Sequence, residues 1–222
     1  MTAEIDINIK FKSLVTIGSG EPSSIFGADV TLIRIPYGDR EKYFIPGSTI
    51  KGILRTSACR VAHLLGLSSC GEVEPSSIVE KHNKLGDNCI KIDDRKLCHV
   101  CYLFGYPGST IGNLFVSNAY PVTDPLPFTI TRVCIDDKKL TAVRGKLFTY
   151  EAYPTNTVFA GSIKILLDDE WAHNLVLAAL LNLNYERIGR GGLMEIEIVK
   201  TKNLYKSSLI EKILNGWGKW KI

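Results

Sequence analysis

The hydrophobic periods of this sequence predict an α+β domain of the ferredoxin-like class. Three observations lead there. A run of strict alternation comes first, two segments of helical period begin near residues 48 and 169, and strand-like runs fill the intervals. The resulting order is strand, helix, strand, strand, helix, strand. Composition permits it: 222 residues, 45% of them hydrophobic and 23% charged, suffice for one packed domain with decorations.

Taken in order, Ile5, Ile7, Ile9 and Phe11 alternate with Asp6, Asn8, Lys10 and Lys12, the period of a half-buried strand. A glycine-bearing loop follows at 18–27. Ile45-Pro46-Gly47-Ser48 turns into a helix whose apolar face is Ile50, Ile53, Leu54, Ala58, Val61, Ala62 and Leu65. Ser48 is its expected N-cap and Gly66 its stop. Cys59 falls on that face and reads as core. Residues 67–97 lose all period, are polar and carry cysteines, and read as an insertion. A strand is expected over 111–119. Segments 128–135 and 140–150 pair across Asp136-Asp137-Lys138-Lys139 as a long hairpin. Another strand covers 157–167, and Asp169 caps a helix through Trp171, Leu175, Ala178, Ala179 and Asn182 that ends near Gly189. Met194, Ile196 and Ile198 alternate with Glu195 and Glu197 in the last strand. Residues 207–214 read as a short helix that Trp217 and Trp220 can dock.

A net charge of +4 and a pI near 8.7 admit a polyanionic partner without requiring one. No apolar run reaches the roughly 18 residues of a membrane span. Residues 1–12 mix acidic and basic side chains where a signal peptide would have an apolar centre. A cytoplasmic location is therefore expected. The six cysteines, five of them between Cys59 and Cys101, are not expected to form a secreted disulfide framework, although pairing stays open for a hyperthermophile.

Two basic motifs carry chemistry. In Pro46-Gly47-Ser48-Thr49-Ile50-Lys51-Gly52-Ile53-Leu54-Arg55, positive charge stands in the first turns of a helix, against the macrodipole. An anion between Lys51 and the free backbone N–H groups would account for it, with Gly47 leaving room; a solvated lysine on a helix is the alternative. Gly189-Arg190-Gly191-Gly192 joins glycines that permit close backbone approach to an arginine that can grip phosphate; a helix C-cap and turn is the alternative.

These two motifs, with Cys98-x-x-Cys101-x-Leu103-Phe104-Gly105 between them, occur in an order that resembles the RAMP superfamily. More narrowly, they are similar to the guide-RNA backbone subunits of type III CRISPR effectors. Residues 149–165, with Glu151, Pro154, Phe159 and Gly161, add to the likeness, which spans about residues 17–199. The resemblance implies a single domain over 1–222 with a modified ferredoxin-like palm, a lid insertion at 67–104 and a thumb hairpin at 123–153. It implies antiviral defence, guide RNA and complementary target RNA as ligands, and neighbouring subunits that include copies or paralogues of the chain. It also implies RNA contacts from Arg34, Ser48, Lys51, Arg55, Arg132, Gly189, Arg190 and Gly191.

Cys98-x-x-Cys101 places two thiolates on one tight turn, which suits tetrahedral zinc. Cys89 and His82 lie upstream and can complete a Cys3His set, with Cys70, His63 and His99 competing for the same roles. A redox pair is the alternative, but no thioredoxin-like strand precedes it. Zinc in the lid is common among the similar subunits. Cys134 falls in the hairpin and reads as structural.

In catalytic members of the family, an aspartate in the loop after the first strand cuts the target RNA. An aliphatic residue follows three positions on and a basic residue five on. Asp29, Leu32 and Arg34 reproduce that pattern, although the loop glycine upstream stands one residue too close. The resemblance therefore implies a metal-dependent endoribonuclease. One carboxylate can hold a single hydrated Mg²⁺ or orient a 2′-hydroxyl, but supplies no two-metal site. A surface-loop aspartate in a pure scaffold is the alternative. A guide-processing endonuclease would use a histidine, and the four here, His63, His82, His99 and His173, all lie outside the N-terminal loop. An ordinary RRM would show aromatic residues on its central strands, for which Lys146-Leu147-Phe148 is a poor substitute.

Overall fold

The alternation at the start of the chain forms β1 (Ala3–Phe11), with Ala3, Ile5, Ile7, Ile9 and Phe11 buried on one face. The structure is a computed structural model that describes residues 1–19, 28–38, 40–92, 95–107 and 111–216. Most of the loop expected at 18–27, and both Trp217 and Trp220, lie outside the described residues. After β1 come β2 (Arg34–Tyr37), β3 (Arg40–Tyr43) and α1 (Gly47–Val61), which tightens into a 3₁₀ turn to Leu65. The segment read as an insertion holds α2 (Pro75–Asn83), β4 (Ile90–Ile92), β5 (Arg95–Leu97) and α3 (His99–Phe104). Then follow β6 (Leu114–Val116), β7 (Tyr120–Pro121), β8 (Phe128–Asp136), β9 (Thr141–Ala152), β10 (Val158–Ile165), α4 (Glu170–Asn182), β11 (Arg187–Ile188), β12 (Gly192–Lys202) and α5 (Ser208–Gly216).

The main sheet runs β11-β12-β1-β10-β6, antiparallel throughout, with β7 also on β10. Stripped to β1, α1, β6, β10, α4 and β12, this is the ferredoxin-like βαββαβ order. Helices α1 and α4 pack on the buried face of β1, where Ile50, Leu54, Ala58, Leu175, Val176 and Ala179 meet Ile5, Ile7 and Ile163. Truncating Leu54, fully buried, costs about 2–5 kcal/mol by the usual core rule. Ser57 ties the helices together: its Oγ donates to Ala179 O at 2.7 Å and accepts from Asn182 Nδ2 at 3.0 Å. The opposite face of β1 presents Glu4, Asp6, Asn8 and Lys10, with Glu4 paired to Lys164 and Lys202. Its two central strands show no aromatic residue there, so the face is not an RRM platform.

Hairpin β8–β9 forms a two-stranded sheet of its own, bridged to Val30 at Tyr150, and is exposed along both faces until Tyr150, Glu151 and Ala152 enter the core. It thus projects from the body. No helix among the described residues is long and apolar enough to cross a membrane.

Two expectations about helix ends need correction. Helix α1 starts at Gly47, with Pro46 as its N-cap, so Ser48 sits exposed inside the first turn rather than capping it. The cap is supplied from elsewhere: Gly47 N donates to Asn118 Oδ1 at 2.8 Å. Helix α4 ends at Asn182, well before Gly189, because a 3₁₀ turn over Leu183–Tyr185 and β11 intervene. Gly66 does stop the first helix, at φ +69°.

Candidate functional site: a cleft between the first-strand loop and the glycine loop

The chain after β1 runs along the Gly189–Gly192 loop. Thr16 N donates to Arg190 O and Arg190 N to Thr16 O, a two-bond clasp of 3.3 and 3.0 Å. Gly189 and Gly191 flank the arginine at φ +56° and +78°. At Gly189 a Cβ would also meet Thr16 O at 2.3 Å, so glycine is required both by conformation and by space. Ser13 closes the loop from outside, its Oγ donating to Gly191 O at 2.6 Å and accepting from Leu193 N at 2.7 Å. These contacts fix the backbone on both sides of Arg190. Its side chain has no hydrogen bond or ion pair among the described residues.

Arg190 lines a cleft of about 470 Å³ with Thr16, Ile17, Gly18, Asp29, Val30, Thr49 and Gly189. It also lines an adjoining recess of about 140 Å³ with Leu14, Arg132, Phe148, Tyr150 and Gly191. The two spaces share Arg190, and together they join the Asp29 loop to the base of the β8–β9 hairpin. In the recess Phe148 and Tyr150 stack at 6.0 Å, and the Arg132 guanidinium lies 5.2 Å over the Tyr150 ring. Asp29 is exposed and anchored to β9: Thr149 N donates to its Oδ2 at 2.6 Å, Thr149 Oγ1 lies at 3.4 Å, and Asp29 N donates to Thr149 O at 2.9 Å. Among the described residues its Oδ1 accepts nothing.

The structure thus brings together Asp29, Arg132, Gly189, Arg190 and Gly191, with exposed Ser48 beside Thr49 in the α1 first turn. It does not bring the other expected cations there. Arg34 is paired with Glu151 at 2.5 Å and Glu41 at 3.0 Å. Glu151 is buried and also accepts from Leu32 N at 3.0 Å, so the pair pins the loop to the hairpin base. Although burial opposes it, hydrogen bonding to Glu151 and Glu41 holds the Arg34 pKa above its ordinary value. Lys51 is half-buried and donates to Leu114 O at 2.8 Å, over the Phe115 ring. Burial, then the neighbouring Arg55 charge, pushes its pKa down. Arg55 donates to Gly105 O and, at 3.1 Å, to Cys101 Sγ. The reason is packing: at Gly47 a Cβ would stand 2.3 Å from Val116 O, so the glycine admits β6 against the helix rather than a phosphate. Thr16, Thr49, Thr149, Phe148 and Tyr150 had no sequence signal as site residues, because their role comes from long-range pairing alone.

A second group lies in the insertion. Cys70, His82, Cys98 and Cys101 offer ligand atoms within 4.8 Å of one another, and all four residues are buried. A zinc–sulfur tetrahedron with bonds of about 2.3 Å has edges of about 3.8 Å, so the set closes on an ion with small shifts. His82 Nε2 is buried without a hydrogen-bond partner among the described residues, and a metal would supply one. Hydrogen bonds from Cys101 and Cys98 hold the Cys70 thiol far below its usual range. Cys70 and Cys98, with burial, push Cys101 up. At Cys98 the bond to Cys101 lowers the pKa, but Cys70 and burial together outweigh it. A buried Cys3His group of this kind can hold a metal such as zinc. Cys89 is not in it, which corrects the expected ligand set. The turn before it folds back, so that Cys89 Sγ donates to Gly86 O at 3.2 Å, while Cys70 Sγ lies 3.4 Å from Cys101 Sγ. His63 is exposed, and His99 is spent accepting from Ser68 N and Oγ through Nδ1. Cys59 is half-buried against the core, and Cys134 is exposed on β8.

A ferredoxin-like sheet beside a cleft of fixed glycines, an open arginine and a carboxylate has the make-up of a polyanion-binding protein. The RAMP superfamily profile matches residues 8–192, and the chain belongs to that superfamily. Membership makes it a CRISPR-associated RNA-binding protein. Comparison with curated proteins returns no match.

Proposed function

We propose that the chain is a guide-RNA-binding backbone subunit of a type III CRISPR effector complex in antiviral defence. Residues 67–104 act as its lid and 123–153 as its thumb. The observation that carries this reading is the joined cleft, where Arg190, Arg132 and Asp29 meet two positive-φ glycines. Arg190 and the loop backbone grip phosphates without reading base identity, and Phe148, Tyr150 and Arg132 offer a face on which a base can stack. The exposed Val133, Ile135 and Leu147 of the hairpin suit burial against a neighbouring subunit, including a further copy along the guide. Zinc is the structural ion of the Cys70–His82–Cys98–Cys101 group, and the assembly works in the cytoplasm.

Within this reading Asp29 cuts the complementary target RNA at regular intervals, one cut per copy. Thr149 fixes one carboxylate oxygen, and the other is left for a 2′-hydroxyl or a hydrated divalent ion such as Mg²⁺. One observation favours a non-catalytic scaffold instead: the Asp29–Thr149 pair is by itself a staple between loop and hairpin. Guide processing by acid–base histidine chemistry has less support, since no histidine lines the cleft among the described residues. The deciding assay incubates a guide-complementary, end-labelled RNA with assembled wild-type and Asp29→Ala complexes, with and without chelator. A regular ladder that vanishes in the mutant and under chelation, with target binding intact, supports cleavage by Asp29. The same ladder from the mutant removes Asp29 from the chemistry, and target binding without any ladder in wild type leaves the scaffold.

A further inference from the structure

A divalent ion held by the buried cluster in the insertion would be over-balanced in charge by its ligands. Three thiolates and a neutral imidazole around a divalent ion leave one net negative charge. The sulfurs are enclosed: Cys98 is 0%, Cys101 2% and Cys70 7% exposed. A buried charge of this kind is strongly disfavoured unless it is paired and hydrogen-bonded.

A cation on α1 touches the cluster. Arg55 is half-buried, and its Nη2 donates to Cys101 Sγ at 3.1 Å while its Nη1 donates to Gly105 O. The guanidinium therefore spans α3 from Cys101 to the C-cap Gly105, where backbone carbonyls already favour positive charge. Lys81, a further cation close by, bonds the Cys70 carbonyl at 3.2 Å and is paired with Glu72 at 2.5 Å. Its charge is matched by Glu72, and among the described residues it makes no hydrogen bond to a sulfur. Among the described residues, Arg55 is the one basic side chain hydrogen-bonded to a ligand atom of the cluster.

We propose that Arg55 is the charge-compensating and positioning residue of the metal–thiolate cluster, neutralising it through the Nη2–H···Sγ bond to Cys101 and fastening the insertion to α1. This rests on the reading that the cluster holds zinc. An N–H···S bond draws electron density from a coordinated thiolate and disfavours its protonation, so it changes both the metal's spectrum and its rate of escape. A purely structural Arg55, acting as a cap on Gly105 O, would change neither once the protein is folded.

The test uses the full chain as wild type, Arg55→Met, Arg55→Gln and Arg55→Lys, each checked for native circular dichroism. Each is loaded with zinc for release to excess chelator, and with Co²⁺ to follow the sulfur-to-cobalt charge-transfer band. Met removes both donor and charge, Gln keeps a donor without charge, and Lys keeps charge on a shorter reach. Folded Arg55→Met and Arg55→Gln are expected to release zinc about tenfold faster or more and to shift the band, with Arg55→Lys between them and wild type. If Arg55→Met fails to fold, the comparison of Gln with Lys still isolates the charge. Wild-type release and spectrum in folded Arg55→Gln overturn the proposal while leaving the metal site standing. A wild-type chain that takes up neither zinc nor cobalt overturns both.

Discussion

At the start of α1, Gly47 lets the carbonyls of β6 come within contact of the helix, and the basic residues that follow are turned inward onto Leu114 O, Gly105 O and Cys101 Sγ. In the loop before β12, Gly189 lets Thr16 come equally close, yet the basic residue that follows is turned outward, into the cleft with Asp29. Both motifs are glycine plus cation, and both glycines are explained by a backbone carbonyl 2.3 Å from the Cβ each lacks. The difference lies in what surrounds the cation. Lys51 and Arg55 point along a helix that has an insertion and an edge strand beside it, so nearby carbonyls and a thiol capture them. Arg190 sits between two positive-φ residues on a short loop, with its own backbone already paired and no hydrogen bond or ion pair to its side chain among the described residues. Of the two basic motifs, the one whose charge the fold leaves unspent is the one proposed to meet RNA.

The inward half of this contrast depends on the cluster that Arg55 serves, and removing the cluster is the largest perturbation available. Cys70→Ser is expected to abolish zinc uptake, while Cys89→Ser keeps one equivalent per chain. Apparent zinc-binding free energies on the order of 10 kcal/mol are typical of structural sites, so Cys70→Ser should also open residues 67–104 to limited proteolysis. Elemental analysis of the two variants decides it, and the reverse pattern would restore Cys89 to the ligand set.

Glycine substitutions sharpen the contrast at smaller scale. Gly189→Ala combines positive φ with a backbone clash and should cost on the order of 2–4 kcal/mol, seen as a lowered Tm. Gly52, exposed inside α1 with open space around it, should behave oppositely. Gly52→Ala is expected to stabilise by about 0.5–1 kcal/mol. A neutral Gly189→Ala would mean that the clasp with Thr16 is not what shapes the loop.

How much of this was legible beforehand follows the same division. The ferredoxin-like order could be read from period alone, because Ile5, Ile7, Ile9 and Ile196 alternate and Ile50, Leu54 and Ala58 share one helical face. The hairpin over β8 and β9 was likewise visible in its β-branched runs and charged turn. Side-chain fate was not. Whether Lys51 meets a phosphate or Leu114 O depends on β6, more than sixty residues away. Nothing local distinguishes Cys70 from Cys89, because both follow glycine-bearing turns and only long-range packing selects one. Thr149 became a partner of Asp29 through a register between distant segments, which no local pattern encodes.

A milder substitution probes Lys51 directly. Its amine contributes one half-buried hydrogen bond, so Lys51→Met, which keeps the apolar stem, should cost about 1 kcal/mol of stability. Chemical denaturation of wild type and variant measures this. A loss of RNA affinity with unchanged stability would instead return Lys51 to the ligand side of the comparison.

The central claim is that Arg190, and not Lys51, contributes its charge to RNA. The direct measurement is the salt dependence of guide-RNA binding for wild type, Arg190→Ala and Lys51→Met, taken as log affinity against log salt concentration. One phosphate contact to a single strand contributes about 0.7 to that slope. The account predicts that Arg190→Ala flattens the slope by about this amount and weakens binding alike for every guide sequence, while Lys51→Met keeps the wild-type slope. A slope unchanged in Arg190→Ala, or flattened by Lys51→Met in its place, would contradict it.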